Sequence, residues 1–129
     1  MTLLFEGFTP GRDFGETAVT LDERLLRCWV KLYPQDAECL PEVPEGMVSV
    51  IVMRAYIDLC GPRPPGNVHT SQSFQLHRMP KPGDTVRTRM TCAGAELKKG
   101  RGWVTIASES RDAAGTLLFT GEMRLIWAA

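Results

Sequence analysis

The sequence has no excess of charge of either sign. Fifteen Lys and Arg residues balance fifteen Asp and Glu residues among 129 residues, so the formal net charge is zero. Proteins that bind nucleic acid through its phosphates need a basic excess. The balanced charge therefore argues against a nucleic-acid-binding protein, and it favours association between copies of the chain.

Metal ligands and paired cysteines are also scarce. Histidine occurs only at His69 and His77, and the four cysteines form no C-x-x-C pair. A structural zinc site needs closely spaced Cys or His ligands. We therefore expect no metal, and we interpret the cysteines as reduced, partly buried thiols.

Long apolar runs are missing as well. The longest, Met47–Met53, is far shorter than a membrane span. The N-terminus, MTLLFEGFTPGRDFG, has an early acidic residue and no cationic start, unlike a signal peptide. We expect a cytoplasmic protein with no membrane partner, and the length predicts a single domain over residues 1–129.

The most distinctive segment of the chain is Val43–Cys60, VPEGMVSVIVMRAYIDLC. Its residues are apolar around almost the whole circumference of a predicted helix, and such a helix must be covered by other elements. Alternating strands from Asn67 to Ala128, joined by turns at Lys81–Asp84, Lys98–Gly100 and Asp112–Gly115, supply the cover.

Upstream of this segment the sequence predicts a short strand and a first helix. Phe14–Val19 has the pattern of a strand, and Thr20 with Glu23 forms a T-x-x-E capping box. An apolar stripe continues from there until Pro34 ends the helix.

This order of elements resembles the hot-dog fold, and more narrowly its MaoC-like acyl-CoA hydratase/dehydratase branch. The matching pieces are Thr20 at the helix cap, YPQDAE at 33–38, Glu45-Gly46-Met47 at the start of the central helix, the PGD turn at 82–84 and the closing GEMRLIWA strand. The resemblance implies an α+β hot-dog fold, in which a long central helix is wrapped by a curved antiparallel β-sheet.

The resemblance also implies a chemistry. In the family, a loop Asp and His handle a water molecule at an α,β-unsaturated thioester, while a Gly amide at the helix start binds the thioester oxygen. Asp36 falls on the Asp position, and Gly46, followed by Met47, falls on the amide position. Pro41 falls on the His position, so the family's histidine is missing.

Two other residues are candidates for the missing group. His69 follows a Gly-rich corner, and Glu45 directly precedes Gly46. Some hot-dog thioesterases use a carboxylate near this helix. Alternatively, His69 is a surface or interface histidine. Glu45 is alternatively an acidic residue that the helix dipole favours in the first helical turn.

A basic hairpin tip provides candidates for substrate binding. Lys98, Lys99 and Arg101 are able to hold the phosphates of coenzyme A, or they form a solvated turn. Coenzyme A is expected only as part of the substrate, with no separate cofactor.

We therefore expect an acyl-thioester-binding protein that forms a homodimer or higher homo-oligomer. The resemblance favours a hydratase/dehydratase that acts on an enoyl- or hydroxyacyl-CoA over a thioesterase. The alternatives are a non-catalytic hot-dog subunit and a binding module for another small hydrophobic ligand, which the fold alone does not separate.

Overall fold

The computed structural model describes residues 2–39 and 42–128, and this part of the chain contains two α-helices and five strands. The helices are α1 (Glu23–Leu32) and α2 (Met47–Leu59). The strands are β1 (Asp13–Thr20), β2 (Val68–Leu76), β3 (Thr85–Lys98), β4 (Arg101–Arg111) and β5 (Leu117–Trp127). Two short 3₁₀ helices, Phe5–Gly7 and Pro34–Cys39, lie before β1 and after α1.

The five strands form one antiparallel sheet in the order β1-β3-β4-β5-β2. The predicted meander of three long strands is confirmed as β3-β4-β5, because each tight turn brings the next strand directly alongside. The predicted strand after residue 67 joins the same sheet as β2. It lies at one edge, and β1 lies at the other.

Helix α2 provides the centre of the hydrophobic core. Its buried residues are Met47, Val48, Ile51, Val52, Ala55 and Tyr56, and residues of the strands that join the same core include Val86, Met90, Ile106, Met123 and Leu125. Burial of each aliphatic side chain contributes about 1.5–3 kcal/mol to stability. Ile57 is 54% exposed, so the sheet of one chain leaves part of the helix uncovered.

The predicted start of α1 is wrong in one detail. The Asp22 carboxylate, rather than the Thr20 hydroxyl, accepts the capping hydrogen bond, from the Leu25 N–H at 2.9 Å. Thr20 instead ends β1, where its hydroxyl lies 2.9 Å from that of Thr85 on β3. Because Thr20 pairs with Thr85 on β3, its hydroxyl does not cap α1.

His69 and Ser71 lie on opposite faces of the sheet. Strict alternation of residues 67–78 predicts one shared face, and this prediction is wrong, because the register pairs His69 with Leu125 and Ser71 with Arg124. The intervening Thr70 forms a β-bulge, and its hydroxyl donates to the Arg124 carbonyl at 2.9 Å. His69 therefore lies on the face of the sheet that buried Leu125 shares.

Candidate functional site

A cavity of about 950 Å³ lies at the start of α2. Three segments line it: the 3₁₀ helix after α1, residues 42–46 before α2, and residues 79–82 before β3. The structure brings Asp36, Glu45 and Gly46 together on its walls, as the sequence motif predicts for a joint site. Glu42 and Lys81 add a third carboxylate and an amine.

Asp36 is held by a hydrogen bond from α1. The Trp29 indole N–H donates to Asp36 Oδ2 at 2.7 Å. The bond forms because α1 ends at Leu32, and the 3₁₀ helix that begins at Pro34 returns the chain toward the last turn of α1. Hydrogen bonds to an ionised carboxylate are roughly twice as strong as neutral ones.

Gly46 occupies the N-cap position of α2, one residue before the helix, rather than a place inside its first turn. The next two amides are used locally, since Met47 N–H donates to the Pro44 carbonyl and Val48 N–H to the Glu45 carbonyl, both at 3.1 Å. Among the residues that the structure describes, no acceptor is found for the Gly46 N–H. This donor lies at the positive end of the helix dipole.

The close approach at Gly46 comes from Trp29. A Cβ at position 46 would lie 2.7 Å from Trp29 Cζ2 and 3.0 Å from Trp29 Cη2. Any side chain there must displace the indole. The structure therefore explains this glycine by its packing against Trp29.

The structure does not bring every predicted residue to the cavity. His69 lies exposed on edge strand β2 and does not line it. His77, which follows β2, is also exposed, and its backbone N–H donates to the Leu118 carbonyl at 2.9 Å. Met47 is fully buried in the core and is not a lining residue. Pro41, at the motif's His position, lies outside the described residues.

The basic hairpin tip lies at the other end of the sheet. Lys98, Lys99 and Arg101 join β3 to β4, whereas the cavity borders the turn that leads into β3. Since β3 has 14 residues, the two ends are separated by a strand about 40 Å long. Arg101 borders a different cavity, of about 350 Å³, together with Phe5 and Trp127.

Sequence reasoning missed two contributors to the site. The apolar stripe of α1 includes Trp29 but gives no sign of its role, although a partly buried indole N–H usually finds an acceptor, and Asp36 is close along the chain. Lys81 was treated as part of a turn, and nothing local in the sequence indicates that this turn borders the start of α2.

Two buried groups outside this cavity have raised pKa values. Burial raises the pKa of Tyr56 to about 12 and that of the Cys60 thiol to about 12, partly opposed by nearby Arg63. Neither residue lines the cavity.

Among residues 2–39 and 42–128, no three His, Cys, Asp or Glu side chains come together as metal ligands. No helix in these ranges has the length and apolarity to cross a membrane.

The fold is similar to those of several solved structures. No protein-family model matches the sequence, and no curated protein matches it. The MaoC-like dehydratase from Rhodospirillum rubrum matches with a TM-score of 0.79 and 14% identity over 99% of both chains. The R-hydratase PhaJ1 from Pseudomonas aeruginosa matches with a TM-score of 0.77 and 18% identity, over 98% of this chain and 86% of the other.

A third structure has two copies of the same architecture. RV0216 from Mycobacterium tuberculosis has a double hotdog fold, and it matches with a TM-score of 0.76 and 19% identity over 99% of this chain and 44% of its own. Together these similarities show that the chain has the hot-dog fold. The predicted α+β class, with a long central helix against a curved antiparallel sheet, is confirmed.

Proposed function

We propose that this hot-dog chain binds an acyl thioester and acts as a MaoC-like hydratase/dehydratase on an enoyl- or hydroxyacyl-CoA, or on the corresponding acyl-carrier thioester. One observation carries the proposal: a single cavity at the start of α2 combines the carboxylates of Asp36 and Glu45 with Gly46. Solved hydratases and dehydratases with the same fold support this reaction class. Coenzyme A enters as part of the substrate, and no other cofactor is proposed.

The proposed reaction adds water across the double bond next to the thioester carbonyl. Asp36 accepts a proton from the water as its oxygen bonds to C3, and the electron pair moves to the thioester oxygen. The Gly46 N–H and the positive end of α2 stabilise that oxygen. The reaction needs the acid form of Glu45, which delivers its proton to C2. The proton taken up by Asp36 returns to Glu45 through solvent water before the next turnover, and dehydration follows the same steps in reverse.

Glu45 takes the role of the second proton carrier because no histidine among the described residues lines the cavity. His69 is on the edge strand, so it remains a candidate only where a second chain completes the site. The proposal therefore rests on a pair of carboxylates instead of an Asp and a His.

The direct test is turnover of crotonyl-CoA by the purified chain. Loss of the enoyl-thioester absorbance without release of free thiol supports a hydratase. Thiol release from crotonyl-CoA or from a panel of saturated acyl-CoAs identifies a thioesterase instead, and it contradicts the proposed reaction.

The proposal includes a homodimer formed through β2. On this edge strand Val68 is 50%, Phe74 37% and Leu76 43% exposed, and the outer backbone edge has no neighbouring strand among the described residues. Such an edge favours pairing with a second copy. The double hotdog of RV0216 supports pairing of two hot-dog units. A monomeric mass by light scattering at micromolar concentration contradicts this part of the proposal.

A second candidate is a non-catalytic subunit that completes the cavity of a partner chain. The Pro41 at the motif's His position favours it. Binding of acyl-CoA without turnover, followed by turnover when a partner hot-dog chain is added, identifies this role. No affinity for any acyl-CoA excludes both candidates and leaves a module for another small hydrophobic ligand.

Two further parts of the proposal concern the chain as a whole. We treat residues 1–129 as one hot-dog domain. We also place the protein in the cytoplasm, the compartment in which its reduced thiols and an acyl-CoA substrate are compatible. Fractionation of cells that produce the chain tests the location.

A further inference from the structure

The geometry points to Trp29 as the residue that positions the Asp36 carboxylate in the cavity, an inference that rests on the proposed function. Trp29 is half-buried near the end of α1, and its indole N–H lies 2.7 Å from Asp36 Oδ2. It acts through Asp36 and is not one of the residues lining the cavity.

The hydrogen bond uses only one of the two carboxylate oxygens. An indole has a single donor and no acceptor, so it fixes the orientation of its partner without exchanging a proton. With Oδ2 engaged by Trp29, Oδ1 of Asp36 has no hydrogen-bond partner among the described residues, and we assign it to the water or the substrate. A carboxylate without this bond would rotate among several orientations, only some of which suit proton transfer.

The indole is itself fixed from two sides. The ring of Tyr33 lies 4.5 Å away between centroids, and Gly46 lies against the six-membered ring of the indole, where a Cβ would be 2.7 Å from Cζ2. Trp29 therefore connects α1, Asp36 and the start of α2. This contact sets the spacing between the carboxylate and the Gly46 N–H.

The hydrogen bond can be tested without any turnover. The chain has three tryptophans, which give three indole N–H signals in a ¹H–¹⁵N spectrum, and Trp29→Phe identifies the signal of Trp29 by its loss. Asp36→Ala should move that signal toward the position of an indole without an acceptor. Trp127, whose indole N–H donates to the Leu3 carbonyl at 2.8 Å, is the internal control. An unmoved Trp29 signal overturns the inference, whether or not the protein is an enzyme.

Kinetics then test the positioning role. Trp29→Phe keeps an aromatic ring but loses the donor, and we expect kcat to fall about tenfold while KM stays within about twofold. Trp103→Phe is the matched control, because Trp103 is also half-buried but packs under Arg124 on β5. An equal loss in both variants overturns the inference.

A double variant separates positioning from general packing. If Trp29 acts through Asp36, then Trp29→Phe causes no further loss of kcat in the Asp36→Ala background. A loss of the same size in both backgrounds overturns the inference. If the wild-type chain turns over no thioester, the proposed function fails, while the indole signals still decide whether Trp29 holds Asp36.

Discussion

Helix α2 connects two ends of the molecule that differ in construction. Its first residue borders the cavity end, which we define by Asp36, Glu45 and Gly46, and where carboxylates line an open volume of about 950 Å³. Its last turn leads into the closed end, which we define by Phe5, Gly102 and Trp127.

Aromatic packing dominates the closed end, where the three defining residues also border the smaller cavity of about 350 Å³. The Trp127 indole N–H donates to the Leu3 carbonyl at 2.8 Å, and Leu3 N–H donates to the Pro62 carbonyl at 2.7 Å just after α2. The rings of Phe8 and Trp127 meet edge-on at 4.6 Å. One end of the helix therefore packs mainly against aromatic rings, whereas the other end borders carboxylates and the larger of these two cavities, which leaves room for a ligand.

The largest expected effect concerns the cavity end. Asp36→Ala should lower turnover of crotonyl-CoA by roughly 10²–10⁴-fold, because it removes a group that carries a proton in the transition state. Glu122→Ala, which removes an exposed carboxylate on β5, is the control. If Asp36→Ala keeps more than half of the wild-type rate, the catalytic role that we propose for the cavity end is contradicted.

The next effect concerns the closed end. A Cβ at position 102 would lie 2.5 Å from the Phe5 ring, so Gly102→Ala should lower the free energy of unfolding by about 1–3 kcal/mol in urea titrations. Gly94→Ala is the matched control, since a Cβ there meets nothing within 4 Å. Equal stability of the two variants contradicts the tight packing that we assign to this end.

A smaller effect concerns the buried thiol after α2. Burial raises the pKa of Cys60 from 9.0 to about 12, so its stabilising contribution is complete below pH 9 and is lost as pH rises toward 12. We expect the free energy of unfolding to fall by about 1 kcal/mol between pH 9 and 10 through this group. Cys60→Ala should remove that part of the pH dependence. Cys28→Ala, which alters an exposed thiol, should not.

The smallest effect concerns the hairpin beyond the closed end. The triple variant Lys98→Gln, Lys99→Asn and Arg101→Gln should leave KM for crotonyl-CoA within about twofold, because these residues lie a full strand away from the cavity. Asn is chosen at position 99 because that residue has φ of 53°, which Asn tolerates. A rise in KM of about tenfold would instead show that the tip contacts the bound carrier.

The sequence predicted much of the fold because its signals are local. Alternation of apolar residues located the strands, and the continuous apolar segment located α2, although the helix begins at Met47 rather than Val43. The errors came from distant contacts. Thr20 pairs with Thr85, which lies 65 positions along the chain, and the bulge at Thr70 depends on the Arg124 carbonyl.

The candidate site was predictable only in part. Asp36, Glu45 and Gly46 are near one another in sequence, and the structure places them around one cavity. Lys81 joins them only through the folded sheet, and the distance of His69 from the cavity follows from the position of β2 at the sheet edge. These relations depend on the order of the strands, which no local pattern contains.

The contact between Trp29 and Gly46 has a consequence for how such sequences diverge. Because the indole fills the space of a Cβ, positions 29 and 46 are constrained as a pair. A descendant that gains a side chain at position 46 must displace the indole or exchange Trp29 for a smaller residue, and either change disturbs the donor of Asp36. We therefore expect the two positions to covary among functional variants selected in the laboratory.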